Sequence, residues 1–149
     1  MGPTFSIRHP HPSELRAVHG LVQAVVDETY GGMWAPPPLT IDEEDWSLAW
    51  VAPSGTGLAG MVLTLGEWVS DLWVPRPYRG IGIGTALLRR AEAEIAGRGC
   101  TTARLRLVRQ NTAAGAFYAG HGWVVRREFP HESLPIAMLE MAKPLDRSA

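Results

Sequence analysis

The sequence predicts an α/β fold, because segments with the two-residue period of strands alternate along the chain with segments that have helical spacing. The chain has 149 residues, of which 46% are hydrophobic and 19% charged. This composition is that of an ordinary globular protein and excludes a disordered, collagen-like or coiled-coil chain. At this length one domain is expected, and we assign residues 1–149 to it.

The first half of the chain predicts one strand, one helix and then an antiparallel meander. Residues 4–9 alternate modestly and stop at two prolines, and a helix with Ser13 as its cap then extends to Gly31 and Gly32. The acidic run Asp42-Glu43-Glu44-Asp45 is compatible with one helical turn. Three β-compatible runs separated by glycine-containing turns follow, namely Trp46–Ala52, Leu58–Leu65 and Trp68–Val74.

The second half predicts two helices and three strands. A glycine-rich turn opens a strongly amphipathic helix that stops at Gly97, and its apolar positions recur at helical spacing. The elements that follow are a strand over Ala103–Val108, a short helix over Thr112–Ala119, and strands over Trp123–Phe129 and Ile136–Ala142.

Charge and cysteine content exclude several classes of partner. Fourteen Lys and Arg residues against fifteen Asp and Glu residues give a formal charge of -1, so no bulk basicity favours nucleic acid or an anionic membrane. The single cysteine, Cys100, cannot form an intramolecular disulfide, and no histidine spacing indicates a metal site. No signal sequence or eighteen-residue apolar run is present, and we expect a cytoplasmic protein.

The glycine-rich turn indicates an anion-binding site. Arg79-Gly80-Ile81-Gly82-Ile83-Gly84 lies between a predicted strand and a predicted helix, where backbone N–H groups and the positive end of the helix dipole favour phosphate. The Walker pattern fails because no Gly-Lys-Ser or Gly-Lys-Thr follows. The dinucleotide pattern fails because Thr85 occupies the position of its third glycine. ATP and NAD are therefore disfavoured, although glycines at a turn can also be purely structural.

The residues from Asp71 to Leu88 resemble motif A of the GNAT superfamily of acyl-CoA-dependent N-acyltransferases, with Arg79, Gly82 and Gly84 as the core match. Downstream, residues 107–111 and 116–123 resemble the second conserved block of that family. The resemblance implies a mixed twisted sheet of about six to seven strands, flanked by about four helices. It also implies central strands, ending at Val74 and Val108, that splay apart to admit pantetheine.

The resemblance further implies acetyl-CoA as the cosubstrate and no metal. Backbone groups of the strand before the turn would hold pantetheine and the acyl carbonyl, and amides of the turn would hold the diphosphate. Asn111 matches a position that binds pantetheine or orders the next helix, and it is equally compatible with a plain helix cap. The implied cofactor-binding residues are Leu72, Trp73, Val74, Arg79, Gly80, Ile81, Gly82, Ile83, Gly84, Thr85 and Asn111.

Three residues are candidates for proton transfer. Phe117 and Tyr118 are adjacent on a helix and point about 100° apart, so we expect only one of them to face the core. In the family pattern Tyr118 lies near the thioester sulfur and donates to the departing thiolate. Glu67 and Asp71 differ by four positions in a strand and should share a sheet face. The family resemblance implies that a carboxylate on this strand serves as the base or as the amine anchor, so either residue is a candidate.

The resulting hypothesis is an N-acetyltransferase that moves acetyl from acetyl-CoA to a primary amine by direct attack in a ternary complex. A small cationic amine is the expected acceptor, drawn by Asp71 and the acidic run at 42–45, with Trp34 and Trp73 near the pocket. Alternatives are acetylation of a protein N-terminus or lysine, a non-catalytic acyl-CoA-binding sensor, and a nucleotide-binding module. A homodimer is possible.

Overall fold

The computed structural model describes residues 5–31, 45–55 and 57–145 of the chain. Within this part, three α-helices and six strands form a mixed α/β structure, as predicted. The helices are α1 (Leu15–Tyr30), α2 (Ile83–Gly97) and α3 (Thr112–Gly120). The strands are β1 (Trp50–Ser54), β2 (Gly57–Leu65), β3 (Trp68–Trp73), β4 (Thr102–Val108), β5 (Val124–Pro130) and β6 (Ala137–Pro144).

All six strands belong to one sheet in the order β1-β2-β3-β4-β6-β5. Neighbouring strands are antiparallel except β3 and β4, which run parallel. The parallel pairing comprises only Trp68 with Arg104 and Val69 with Leu105, after which the two strands diverge. The predicted splayed central strands are therefore confirmed, and the divergence opens the sheet beside the glycine-rich turn.

A hydrophobic core lies on each face of the sheet. Helix α2 buries a stripe that includes Leu87, Leu88 and Ile95 against strands β2 to β4, and these three side chains are fully buried. Helix α1 buries Val18 and Val22 on the opposite face, against β1 and β2. The helical spacing of these apolar residues in the sequence is what directs each helix onto the sheet.

The N-terminal region differs from its prediction. The strand expected over residues 4–9 is reduced to one bridge between Arg8 and Val51. Ser13 does not cap α1, because residues Pro12–Glu14 form a 3-10 turn before it. Glu14 instead accepts from the Arg8 guanidinium at 2.7 Å and from the backbone N–H of His11 at 2.8 Å. These two contacts, the Arg8 bond foremost, lower the pKa of Glu14 to about 2.

Two further predictions need correction. The strand expected from Trp46 begins only at Trp50, because Asp45 accepts from the backbone N–H of Ser47 and starts a 3-10 turn over Trp46–Leu48. About four helices were expected, and the described residues hold three α-helices. Most of the acidic run that suggested a further helical turn lies outside the described residues. No described helix has the length and apolar character needed to cross a membrane.

Candidate active site

A cavity of about 570 Å³ opens where β3 and β4 diverge. Its walls come from the ends of these two strands, the last turn of α1, the glycine-rich turn and helix α3. A single cavity thus brings together segments that are up to about ninety positions apart in the sequence, from Tyr30 to His121. Clefts at diverging sheet strands are frequent ligand sites in α/β proteins.

The glycine-rich turn forms one wall and has the geometry of an anion site. Gly80 and Gly82 adopt φ angles of 80° and 98°, which favour glycine, and Gly82 is the N-cap residue of α2. Gly84 has an ordinary φ, but a Cβ there would lie 3.4 Å from the Phe117 ring. The first N–H groups of α2 point out of the helix with no intrahelical acceptor and carry the positive end of its dipole.

Nine of the eleven predicted cofactor-binding residues line this cavity. The exceptions are Ile81, whose side chain is exposed, and Ile83, which is buried in the α2 core. The Arg79 side chain is bonded within the protein. Its Nε donates to the Val74 carbonyl at 2.7 Å, and its guanidinium pairs with Glu28 at 3.3 Å. Arg79 therefore braces the turn against β3 and α1.

Asn111 joins α3 to α1. Its Oδ1 accepts from the backbone N–H of Ala114 at 3.2 Å, which caps α3, and its Nδ2 donates to the Tyr30 hydroxyl at 3.2 Å. The capping role left open by the sequence is therefore present. Tyr30 is partly buried, and burial raises the pKa of its phenol. Tyr30 was not predicted as a site residue, and its place before two glycines at a helix end was the available signal.

Tyr118 is buried at the inner wall of the cavity. Its side chain is 8% exposed, and its pKa is raised well above the usual value by burial, with smaller contributions from Tyr30 and the negative charge of Asp71. The phenol is therefore a proton donor throughout the neutral range. The expectation that only one of Phe117 and Tyr118 faces the core is wrong. Both pack on the same cluster and both line the cavity.

Asp71 of β3 lines the cavity. Its Oδ1 accepts from Nε1 of Trp73 at 3.0 Å, and the Trp73 ring packs edge-on against Tyr30 with centroids 6.2 Å apart. Because Asp71 contributes to the raised pKa of Tyr118, the carboxylate and the phenol are close enough to interact electrostatically. A carboxylate, a protonated phenol and the glycine-rich turn thus line one cavity.

Glu67 does not lie in the same strand as Asp71, contrary to the sequence prediction. Glu67 lies in the turn before β3, outside the cavity lining, and its carboxylate pairs with Arg104 at 3.0 Å. The register between β2 and β3 also shifts, because Leu63 pairs with Asp71 and Thr64 with Val69. Ser70 is thus an extra residue in β3, and such a bulge reverses the alternation of side chains beyond it.

The structure describes only part of the acidic run at 42–45, which was predicted to draw the acceptor. Asp42, Glu43, Glu44 and Trp34 lie outside the described residues. Asp45 is described, and its carboxylate accepts from Ser47 rather than lining the cavity. Within the described part of the chain, no group of three or more His, Cys, Asp or Glu side chains is arranged to hold a metal ion.

His121 and Arg106 line the cavity although neither was predicted to bind a ligand. Nδ1 of His121 donates to the Phe117 carbonyl at 2.8 Å, as expected for a residue at a helix end. This bond leaves Nε2 to accept from the Thr85 hydroxyl at 3.1 Å when the ring is neutral. His121 therefore connects α3 to the first turn of α2. Only the fold could show that these residues meet.

Comparison with known families agrees with this arrangement. The acetyltransferase (GNAT) family matches the chain over residues 21–123, which include the glycine-rich turn, both diverging strands and α3. The chain therefore belongs to the GNAT acetyltransferase family, as the sequence resemblance indicated. A search of curated proteins found no match.

Solved structures with the same fold are numerous. A GCN5-related N-acetyltransferase from Rhodopseudomonas palustris superimposes with a TM-score of 0.76 at 17% identity, covering 97% of this chain and 98% of that one. The PaiA N-acetyltransferase of Thermoplasma acidophilum, solved with coenzyme A, gives 0.72 at 19% identity, with 95% and 99% covered. The Escherichia coli ribosomal-protein-S18-alanine N-acetyltransferase gives 0.67 at 18% identity, with 98% and 97% covered. At these low identities, it is the TM-scores that establish a common fold.

Proposed function

We propose that this protein transfers an acetyl group from acetyl-CoA to a primary amine by direct attack in a ternary complex. The observation that carries the proposal is the single cavity in which a glycine-rich helix N-terminus, a buried phenol and a carboxylate meet. The coenzyme A bound to the similar PaiA structure supports the choice of cosubstrate. The acceptor is a small molecule whose reacting group is an ammonium cation in solution.

Cofactor binding follows from the diverging strands and the turn. Beyond Val69 the edge of β3 that faces β4 no longer pairs with β4, and we infer that the amides of pantetheine pair along this edge as an added strand would. The diphosphate binds at the N-terminus of α2, where the left-handed Gly80 and Gly82 turn backbone N–H groups outward. Thr85, held by His121, completes this wall.

Tyr118 stabilises the departing thiolate. A thiol has a pKa of about 8.5 and a tyrosine about 10, so full proton transfer is uphill by about 2 kcal/mol even before burial. Burial raises the Tyr118 pKa further and increases that difference. Tyr118 therefore acts by donating a hydrogen bond in the transition state, and the thiolate takes its proton from water afterwards.

Asp71 binds the acceptor ammonium and receives its proton. Deprotonation of an alkylammonium with a pKa near 10.4 costs about 4.6 kcal/mol at pH 7. The Asp71 carboxylate orients the ammonium and relays its proton to solvent; because an anionic neighbour favours the charged form, the cost of deprotonation stays part of the barrier to acetyl transfer. Glu67 has no part in this step, since it lies outside the cavity in an ion pair with Arg104. The amine then attacks the thioester carbonyl, and no acyl-enzyme forms.

The test is turnover of acetyl-CoA with a panel of alkylamines, amino acids, diamines and short peptides, following CoA thiol release and product mass. Tyr118→Phe keeps the ring and should lower kcat by about 100-fold or more. Tyr78→Phe is the matched control, because Tyr78 lies outside the cavity lining. Equal turnover by Tyr118→Phe and wild type would remove Tyr118 from the mechanism.

The alternative functions give different results in the same experiment. CoA binding without turnover of any acceptor would identify an acyl-CoA sensor. Stabilisation by ATP or NAD but not by CoA would identify a nucleotide-binding module. Acetylation of peptide N-termini or lysines in preference to small amines would assign a protein acceptor.

A further inference from the structure

A cluster of arginines surrounds one buried carboxylate on the sheet face beside the cavity. Glu140 of β6 has a side chain only 10% exposed, and Arg106 of β4 and Arg127 of β5 are its register partners on either side. Arg127 donates to the carboxylate at 3.1 Å, Arg104 lies at 3.6 Å and Arg106 at 3.9 Å. Glu67 also pairs with Arg104, so three guanidinium groups face two carboxylates. The cluster therefore carries a net positive charge.

Arg106 differs from the other two arginines. Its guanidinium carbon lies 4.6 Å from the Trp68 ring centroid and 5.7 Å from that of Phe129, and it makes no hydrogen bond to any described residue. Ring contacts fix the plane of a guanidinium while leaving its N–H donors available at the edge. Of the three arginines, Arg106 is the one that lines the cavity. Its side chain is 53% exposed and its nearest carboxylate oxygen, on Glu140, lies at 3.9 Å, so its N–H donors are accessible to a ligand in the cavity.

Arg106 and Asp71 lie on the same face of the sheet. Leu105 and Leu107, its neighbours on β4, pack in the α2 core, so Arg106 points to the opposite face. Trp73, which donates to Asp71, packs with the α1 core on that opposite face. Arg106 follows the last β3–β4 pair by one position and Asp71 follows it by two, on strands that are about 4.8 Å apart where they pair. A carboxylate and a guanidinium therefore both line the cavity on this face.

We propose that Arg106 is an anion subsite that binds the carboxylate of the acceptor, so that the acceptor is a small amino acid with its amine at Asp71. The proposal rests on the acetyl transfer proposed above and specifies its substrate class. Guanidinium binds carboxylate through two parallel hydrogen bonds, which suits a donor fork held by two rings. Glu140 and its other arginines position Arg106 by holding the β4, β5 and β6 side chains together.

The test compares amino acids with their carboxamides. Straight-chain amino acids from glycine to 6-aminohexanoate and the corresponding amides are assayed as acceptors, and the ratio of kcat/KM between each acid and its amide is measured. Wild type should prefer the acids, with the best chain length reporting the span from Asp71 to Arg106. Arg106→Gln should reduce that ratio by about 10- to 100-fold, as expected for loss of charged hydrogen bonds, mainly through KM. Arg106→Lys should retain part of the preference.

Arg126→Gln is the matched control, because it removes the same charge from an exposed position of β5 outside the cavity lining. It should leave the acid-to-amide ratio at the wild-type value. Equal use of acids and amides by wild type, an unchanged ratio in Arg106→Gln, or the same fall in Arg126→Gln would each overturn the subsite.

Calorimetry with CoA-loaded protein distinguishes failure of the proposed acetyl transfer from failure of the Arg106 subsite. If no amine is acetylated but 6-aminohexanoate or a shorter homologue binds wild type, and that binding is lost in Arg106→Gln, the subsite stands and the proposed reaction falls. If no amino acid is acetylated or binds, the subsite is overturned, whatever other amines do. Circular dichroism and CoA affinity of Arg106→Gln confirm that the variant is folded.

Discussion

Replacement of Gly82 by alanine separates the ligand role of the glycine-rich turn from its role in folding. Gly82 has a φ of 98°, and a Cβ there would lie 3.4 Å from Cε2 of Phe5. The neighbouring side chain is thus at ordinary contact distance, and the main effect of a methyl group is on the backbone. The turn must either keep a strained left-handed alanine or relax to another conformation.

Both consequences have an expected size. A non-glycine residue in this region costs about 1–3 kcal/mol, which for a domain of this length lowers Tm by about 2–4 °C per kcal/mol. If the turn relaxes, one or two N–H groups leave the positions required by the diphosphate. Each hydrogen bond to a charged group contributes about 1.5–3 kcal/mol, so CoA affinity should fall by about 10- to 100-fold or more.

Gly66 supplies the control. Its φ is 61°, no atom lies within 4 Å of its would-be Cβ, and it lies in the β2–β3 turn outside the cavity lining. Gly66→Ala should lower Tm by a similar amount while CoA affinity, measured by calorimetry, stays at the wild-type value. Equal CoA affinity in Gly82→Ala and Gly66→Ala would refute diphosphate binding at this turn.

Three further outcomes are expected. Asp71→Asn should raise KM for alkylamines more than for a weakly basic aromatic amine, with a smaller effect on acetyl-CoA; an equal fall in kcat for all amines with constant KM would contradict electrostatic capture. Because burial raises the Tyr118 pKa, its stabilising contribution is complete below about pH 10 and is lost as pH rises beyond that value. Denaturation in urea should therefore show the free energy of unfolding falling less steeply above pH 10 in Tyr118→Phe than in wild type. Asn111→Ala should lower stability by about 1 kcal/mol through loss of the α3 cap. Tyr30→Phe, which keeps that cap, should cost less by the same thermal melts.

The order of the elements was predictable from the sequence because local patterns determine it. The period-two runs of the meander and the helical stripe containing Leu87 and Leu88 each bury one face, and the structure places them in cores as expected. The glycine-rich turn was also predictable, since Gly80 and Gly82 adopt conformations that other residues avoid. The observed ends of some elements differ from the predicted ends by a few residues, where capping contacts such as that of Asp45 with Ser47 change the local backbone geometry.

The composition of the site was less predictable because its register and its partners are decided by distant segments. A four-residue spacing in a regular strand puts Glu67 and Asp71 on one face, and only pairing with β2 shows that Ser70 is an extra residue. Tyr30 and Arg106 have no motif around them. They reach the cavity because α1 and β4 happen to end beside it, and sequence periodicity contains no information on such contacts.

The short parallel pairing between β3 and β4 explains why these features occur together. Buried backbone groups need hydrogen-bond partners, so strands that part after two residue pairs leave amides that a ligand with its own amides can satisfy. The same parting exposes side chains of both strands to the space between them. On the α1 face these include Asp71 and Arg106, of opposite charge, and the buried Tyr118 lines the same cavity. A fully paired β3 and β4 would close the cofactor slot and the acceptor space at once.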